Sequence, residues 1–253
     1  MASTDQDPDP IRISQRAMRP TLPRRFYTEV AVTQDEEGRF SVRLDGRGAR
    51  TTARRPLALP TQAAAEAVAQ EWQAQRDVVD PSTMPMTRMV MAALDTVSDD
   101  PRPIVAEVAK YGGSDLLCYR AAEPQSLADR QTACWDPLLS WMHERYGARF
   151  VLAEGVMYAA QPQPTIEAVE TAVRAMPVPF GLAAMHVLTT LSGSVVLALA
   201  VAQGRLTPEA AWAAAHVDED HQIERWGADE EATLRRSRRF ADFAAAAKLL
   251  ALA

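Results

Sequence analysis

Two cysteines in 253 residues, Cys118 and Cys134, form no CxxC pair. They support neither a disulfide framework nor a zinc knuckle, and a reducing compartment is the expectation. Basic excess is missing too: 27 Lys and Arg stand against 33 Asp and Glu, a formal charge of −6. A nucleic-acid partner, which needs a basic stripe, is therefore not expected. The chain has no GxxxxGKS/T loop and no GxGxxG turn after a strand, so the common phosphate cradles are excluded. Ser192-Gly193-Ser194 lacks the flanking glycines of a nucleophile elbow. Met1 to Pro10 has no apolar run for a secretory signal and is too acidic for a mitochondrial transit peptide. Residues 1–22 read as a disordered arm.

Long uncharged runs are scarce, with one exception. Gly181 to Ala202 carries no formal charge over 22 residues, enough to span a bilayer. His186, Thr189, Thr190, Ser192 and Ser194 lower its hydropathy, and no Lys or Arg cluster flanks it. A central buried helix is the expectation, and no stable membrane insertion.

What is present divides into two parts. Between Arg24 and Thr52, Phe40-Ser41-Val42-Arg43-Leu44 alternates as a half-buried strand should, and Asp35-Glu36-Glu37-Gly38 supplies a turn before it. Asp45-Gly46-Arg47 offers a second turn, with Ala49–Thr52 returning as a strand and Pro56–Pro60 as an extended connector. From Thr61 onward the composition is alanine-rich and helical. Helices are expected over 61–76, 87–98, from Pro101 and Pro103 to Gly112-Gly113, and over 126–146 with a kink or restart at Pro137. Phe150–Tyr158 reads as an isolated strand. Further helices are expected over 165–175, 180–203, 208–226 and 229–250, with Thr207-Pro208 as a capped start. The fold class is α+β: a small N-terminal β-containing domain (23–80) followed by a larger all-helical domain (81–253).

The densest chemistry lies in His216 to Gly227, with two histidines, four acids and a tryptophan. On one continuous helix Trp212, His216, Glu219, Ile223 and Trp226 fall within about 40° of one line, while Asp218 and His221 point away. Glu219 in an apolar seam must be paired, protonated or partner-facing. Pairing with His216 or an arginine, binding, and catalysis all remain open. Asp218-x-x-His221 and His221-x-x-Glu224 echo carboxylate–histidine metal pairs, but no second such motif exists for a facing helix. No metal or cofactor is therefore expected.

Three other clusters stand out. Trp135, Leu138, Leu139 and Met142 share a face and read as core, with Asp136 placed to cap a helix starting at Pro137. Asp115 and Arg120 flank Leu116-Leu117-Cys118-Tyr119, either as an ion pair or as part of a binding surface. Met84, Met86, Met89 and Met91 suit either an irregular core or an adaptable binding surface. Gly112-Gly113 reads as a helix end rather than an anion nest.

Read in order, several segments form a series. They are Arg25-Phe26-Tyr27, Leu44-Asp45-Gly46-Arg47, Glu71-Trp72, Met84-Pro85-Met86-Thr87, Asp115-Leu116-Leu117-Cys118-Tyr119-Arg120, Trp135-Asp136-Pro137-Leu138 and Asp218 to Gly227. Over about residues 24–235 the series resembles the assembly chaperone family that acts on the α subunit of the F-type ATP synthase catalytic head, in mitochondria and α-proteobacteria. The resemblance implies a non-enzymatic, two-domain chaperone that keeps the unassembled α subunit soluble. It implies no cofactor, a monomer, and, with no transit peptide seen, a bacterial cytoplasmic member. The family's functional acid falls at Asp218 or Glu219, with the register open between them; His221 stands where an aromatic is expected. The client-binding set implied is Asp218, Glu219, Gln222, Glu224 and Trp226. Asp115, Arg120, Trp135 and Asp136 form a second set, client-binding or structural. The competing reading is an enzyme with a carboxylate site, metal-assisted or not, around Asp218 and Glu219.

Overall fold

A computed structural model describes residues 22–155 and 158–253, so most of the expected arm lies outside the described residues. The N-terminal unit is built on an antiparallel hairpin, β1 (Val30–Gln34) and β2 (Phe40–Leu44), with Val32 opposite Val42. Its turn is held by Asp35, which accepts from the amides of Glu37 (3.1 Å) and Arg39 (2.8 Å). Gly38 there has φ +81°, a value L side chains rarely adopt. The return strand is β3 (Arg47–Gly48), shorter and earlier than the Ala49–Thr52 expected, with only a bridge from Arg50 to Pro56 beyond it. Pro56–Pro60 is not a mere connector: Ala58–Leu59 is β4, paired with β2. Leu57 and Leu59 are fully buried, and that burial draws the segment onto the sheet.

Helix α1 (Gln62–Ala74) starts at Thr61, whose hydroxyl accepts from the amide of Ala64, and packs on the sheet where the Tyr27 hydroxyl donates to the carbonyl of Trp72 (2.7 Å). From the same helix Glu71 accepts from the amides of Met86 (2.9 Å) and Thr87 (2.7 Å), capping α2 (Pro85–Ala92) across the gap. The Glu71-Trp72 and Met84–Thr87 segments thus meet in space. Met84, Met86 and Met89 are buried, so this methionine run is core. A wider turn, Ala93–Val97, follows α2, then α3 (Arg102–Lys110), which ends in a tight turn at Tyr111–Gly113. A Cβ on Gly112 would stand 3.2 Å from Val169, so this glycine serves close helix approach.

Helix α4 (Gln125–Tyr146) runs through Pro137 without restarting, and Asp136 caps nothing. The expected strand over 150–158 contracts to β6 (Ala153–Glu154), parallel to β5 (Tyr119–Arg120); Val156 and Met157 lie outside the described residues. Helix α5 (Gln163–Arg174) follows.

The expected 180–203 helix is two. α6 (Phe180–Ser192) stops at left-handed Gly193 (φ +73°), and α7 (Val195–Ala202) starts anew with Ser194 accepting from the amide of Leu197 (3.0 Å). Val195 to Ala200 is buried on every side, the central position expected of this segment. No helix of the described residues is long and apolar enough to cross a membrane.

The expected 208–226 helix also breaks. α8 (Pro208–Ala215), capped by Thr207, ends at His216 (φ −119°, ψ 22°), and α9 (Val217–Trp226) begins there. Neither Gly nor Pro marks this break. Its consequence is electrostatic: Asp218, Glu219 and Asp220 occupy the first turn of a new helix, where the macrodipole favours acids. α10 (Glu230–Leu252), capped by Asp229, closes the fold against α6. The whole is α+β, a small strand-containing region followed by a larger helical one.

Candidate functional site

Helix α4 is the strut on which the candidate residues are mounted. On one side it receives the 115–121 segment. Asp115, fully buried, does not pair with Arg120. Its carboxylate accepts from the amides of Leu117 (3.0 Å) and Val196 (3.1 Å) and bonds the Ser194 hydroxyl, so it staples the 115–118 turn to the start of α7. Burial without a cation pushes its carboxyl up to about 6, against those bonds, which favour the charged form.

Arg120 turns to α4 instead. Its guanidinium donates to Asp136 (2.7 Å) and to the carbonyl of Leu117 (3.0 Å) and lies 5.2 Å from the Trp135 ring centre. That ion pair, not a helix cap, is what Asp136 does. Burial, together with the negative charge of Asp115, pushes the Cys118 thiol up to about 12, so it stays protonated at neutral pH. Both cysteines are free.

On its other side α4 meets the α8–α9 corner. Trp135, 1% exposed, donates from its indole N–H to the carbonyl of Ala214 (2.8 Å). Buried Gln131 bridges the two regions: its oxygen accepts from the amide of Ala121 (2.8 Å), and its NH2 donates to Asp218 (2.6 Å). Arg130 grips Glu224 with two bonds of 2.9 Å, and this pairing holds the Glu224 carboxyl below its usual range. Asp220 binds Arg236 of α10. Nothing in the sequence marked Gln131, Arg130 or Arg236, because their partners arrive from other helices.

The acids of α9 therefore differ in their situations. Asp218, placed on the outer face by a continuous-helix projection, is half-buried and held by Gln131, because the break at His216 resets the helix. Glu219, for which pairing with His216 was one of the open readings, is 43% exposed and 3.8 Å from His216. His216 is a poor partner. Its Nδ1–H donates to the carbonyl of Trp212 (2.7 Å), which leaves only a lone pair on Nε2 when the ring is neutral. Burial first, and nearby arginines after it, lower its basicity despite the Trp212 bond. Gln222 is exposed, and Trp226 is 84% exposed. Among the described residues no three His, Cys, Asp or Glu side chains gather as a metal site would require.

Between α9 and α10 lies a groove of about 450 Å³. Trp212, Ile223, Ala228, Ala232 and Phe240 form its apolar lining, and Glu219 stands on it. Trp212 beneath is packed by Phe240 and Phe243, with ring centres 5.6 and 5.3 Å away. Three members of the projected stripe, Trp212, Glu219 and Ile223, thus do meet, while Trp226 stands clear of the groove. Asp218, Glu219, Gln222, Glu224 and Trp226 all lie on α9; Trp135 and Asp136 lie on α4, with Asp115 and Arg120 on the 115–121 segment packed against it, and of these four all but Asp136 are buried.

Comparison with known proteins places the chain. A family model described as ATP12 chaperone protein matches residues 24–143. The mitochondrial atp12 protein of Schizosaccharomyces pombe is 22% identical over 221 residues, 83% of this chain and 75% of that one. The crystal structure of Atp12 from Paracoccus denitrificans superposes with a TM-score of 0.84 at 39% identity, covering 91% of this chain and 98% of that one. The Atu1473 protein of Agrobacterium tumefaciens superposes with a TM-score of 0.88 at 46% identity, over 98% of this chain and 92% of that one. At that identity and coverage, the chain belongs to the ATP12 chaperone family.

Proposed function

We propose that this chain binds the unassembled α subunit of F-type ATP synthase and keeps it from aggregating until the catalytic head forms. It does so without catalysis, as a monomer in the bacterial cytoplasm. On this reading the 81–253 body carries the client surface at the α8–α9–α10 corner, and the 23–80 unit braces it. Family membership supports the chaperone role, and the two solved relatives are bacterial. The observation that carries the choice of surface is Glu219. Asp218, Asp220 and Glu224 each hold a polar or cationic partner of this chain, whereas among the described residues the Glu219 carboxylate accepts no hydrogen bond, with a neutral histidine at 3.8 Å and Arg236 acting on it at longer range. It stands over an apolar groove, on the helix that ends in an exposed tryptophan. Apolar area with a few charges to set register is what protein recognition uses.

Co-expression with the α subunit in the absence of the β subunit tests the proposal. The expected result is soluble α subunit that co-purifies with this chain. Insoluble α subunit, with none retained, contradicts it.

A further inference from the structure

The groove between α9 and α10 combines an apolar lining with unbalanced charge. Glu219, Asp220 and Asp229 line it against a single guanidinium, Arg236. Arg236 is committed to Asp220, and Asp229 is committed as the cap of α10, accepting from the amide of Ala232 (2.7 Å). Among the described residues Glu219 accepts no hydrogen bond: it faces His216, whose one ring proton is already given to Trp212, and feels Arg236 at longer range. Any segment that covers the groove strips water from the Glu219 carboxylate. An apolar segment alone would strand that charge, at a cost of several kcal/mol or about that order. An acidic one would meet like charge. A neutral or acidic occupant is therefore disfavoured, and a cationic one is selected.

Resting on the proposal that this corner meets the client, we infer that the groove takes a client segment in which an apolar side chain lies close to a lysine or arginine. The apolar group seats on Trp212, Ile223 and Phe240, and the cation pairs with Glu219. The groove volume, about 450 Å³, lies within the usual 300–1,000 Å³ of ligand clefts, so it admits a few side chains rather than a whole helix face. Arginine adds a two-pronged bond to the carboxylate that lysine lacks. Asp218, tied to Gln131, is then a positioning residue that fixes α9, and Glu219 is the contact.

The test uses the intact protein against immobilised overlapping peptides spanning the α subunit, with α-subunit capture measured alongside. Peptides that bind should carry an apolar residue within about four positions of a base, and lose at least about tenfold in affinity when that base becomes Glu. Glu219→Lys should lose these peptides and recover the Glu-substituted ones. Ser237→Trp, which fills the groove from an exposed position, should lose both sets. Glu219→Gln, nearly isosteric, should lose the preference for a base while unfolding at the wild-type temperature. Unchanged α-subunit capture by both Glu219→Lys and Ser237→Trp overturns the groove assignment and leaves the proposed function standing. Failure of the wild-type protein to capture the α subunit overturns the proposed function, and this inference with it. Self-association abolished by Ser237→Trp would make the occupant a second copy of this chain and overturn the client assignment.

Discussion

Asp115 caps the short helical turn Leu116–Cys118, Glu219 stands in the first turn of α9, and the two acids end in opposite circumstances. Around Asp115 every charge is answered from within: two amides and a hydroxyl for the acid, Asp136 and Trp135 for Arg120. Around Glu219 the neighbouring acids hold hydrogen-bonded partners and, among the described residues, it does not. The two segments look alike as runs of charged and aromatic residues. What separates them is how many of their polar groups the rest of the chain satisfies. A self-satisfied cluster holds the fold, and a cluster with a remainder is open to a partner.

Breaking the internal cluster should have the largest effect. Asp115→Ala orphans buried donors at Leu117, Val196 and Ser194, and should cost about 3–5 kcal/mol in urea unfolding. A loss below about 1 kcal/mol would mean that these donors find other acceptors. Gln131→Ala comes next. It leaves the half-buried amide of Ala121 without its acceptor and releases Asp218, for about 2 kcal/mol. Client capture should weaken with it, since α9 loses one of its ties to α4 and keeps the more exposed Arg130–Glu224 pair.

The two regions should also respond oppositely to pH. Asp115 is raised to about 6 from 3.8, so its favourable contribution is complete below 3.8 and disappears as pH rises through about 6. His216 is lowered, chiefly by burial, so its contribution is complete above 6.5 and is lost as pH falls below that value. A melting-temperature series should show His216→Phe flattening the fall just below pH 6.5. Asp115→Asn should remove the opposite slope between pH 4 and 6. The smallest effect belongs to Arg130 and Glu224, whose side chains are 42% and 56% exposed. A double-mutant cycle should give a coupling below about 1 kcal/mol, vanishing in high salt.

Local rules made much of the frame legible. Asp35–Gly38 marks its hairpin, and Thr61 and Thr207 mark their helix starts, because each satisfies backbone groups a few residues away. The break at His216 was not legible. It carries no Gly or Pro, and its causes are a side chain bonded one turn back and acids that gain from a helix start. Gly193 offered a signal that the all-apolar run around it obscured. Asp136 misled for a different reason: Asp-Pro is a helix-start pattern, but Arg120 takes the carboxylate from outside the helix. At the site, periodicity did bring Trp212, Glu219 and Ile223 together, since the break displaces the stripe without dispersing it. It misplaced Asp218, whose partner Gln131 lies 87 positions away on α4.

The claim that the unanswered cluster is the client surface is tested most directly by hydrogen exchange on this protein, alone and with the α subunit bound. The account predicts slowed exchange across α9 and the first half of α10, about residues 217–240, with amides 115–121 unchanged. Protection confined to other surfaces, with 217–240 exchanging as in the free protein, would contradict it.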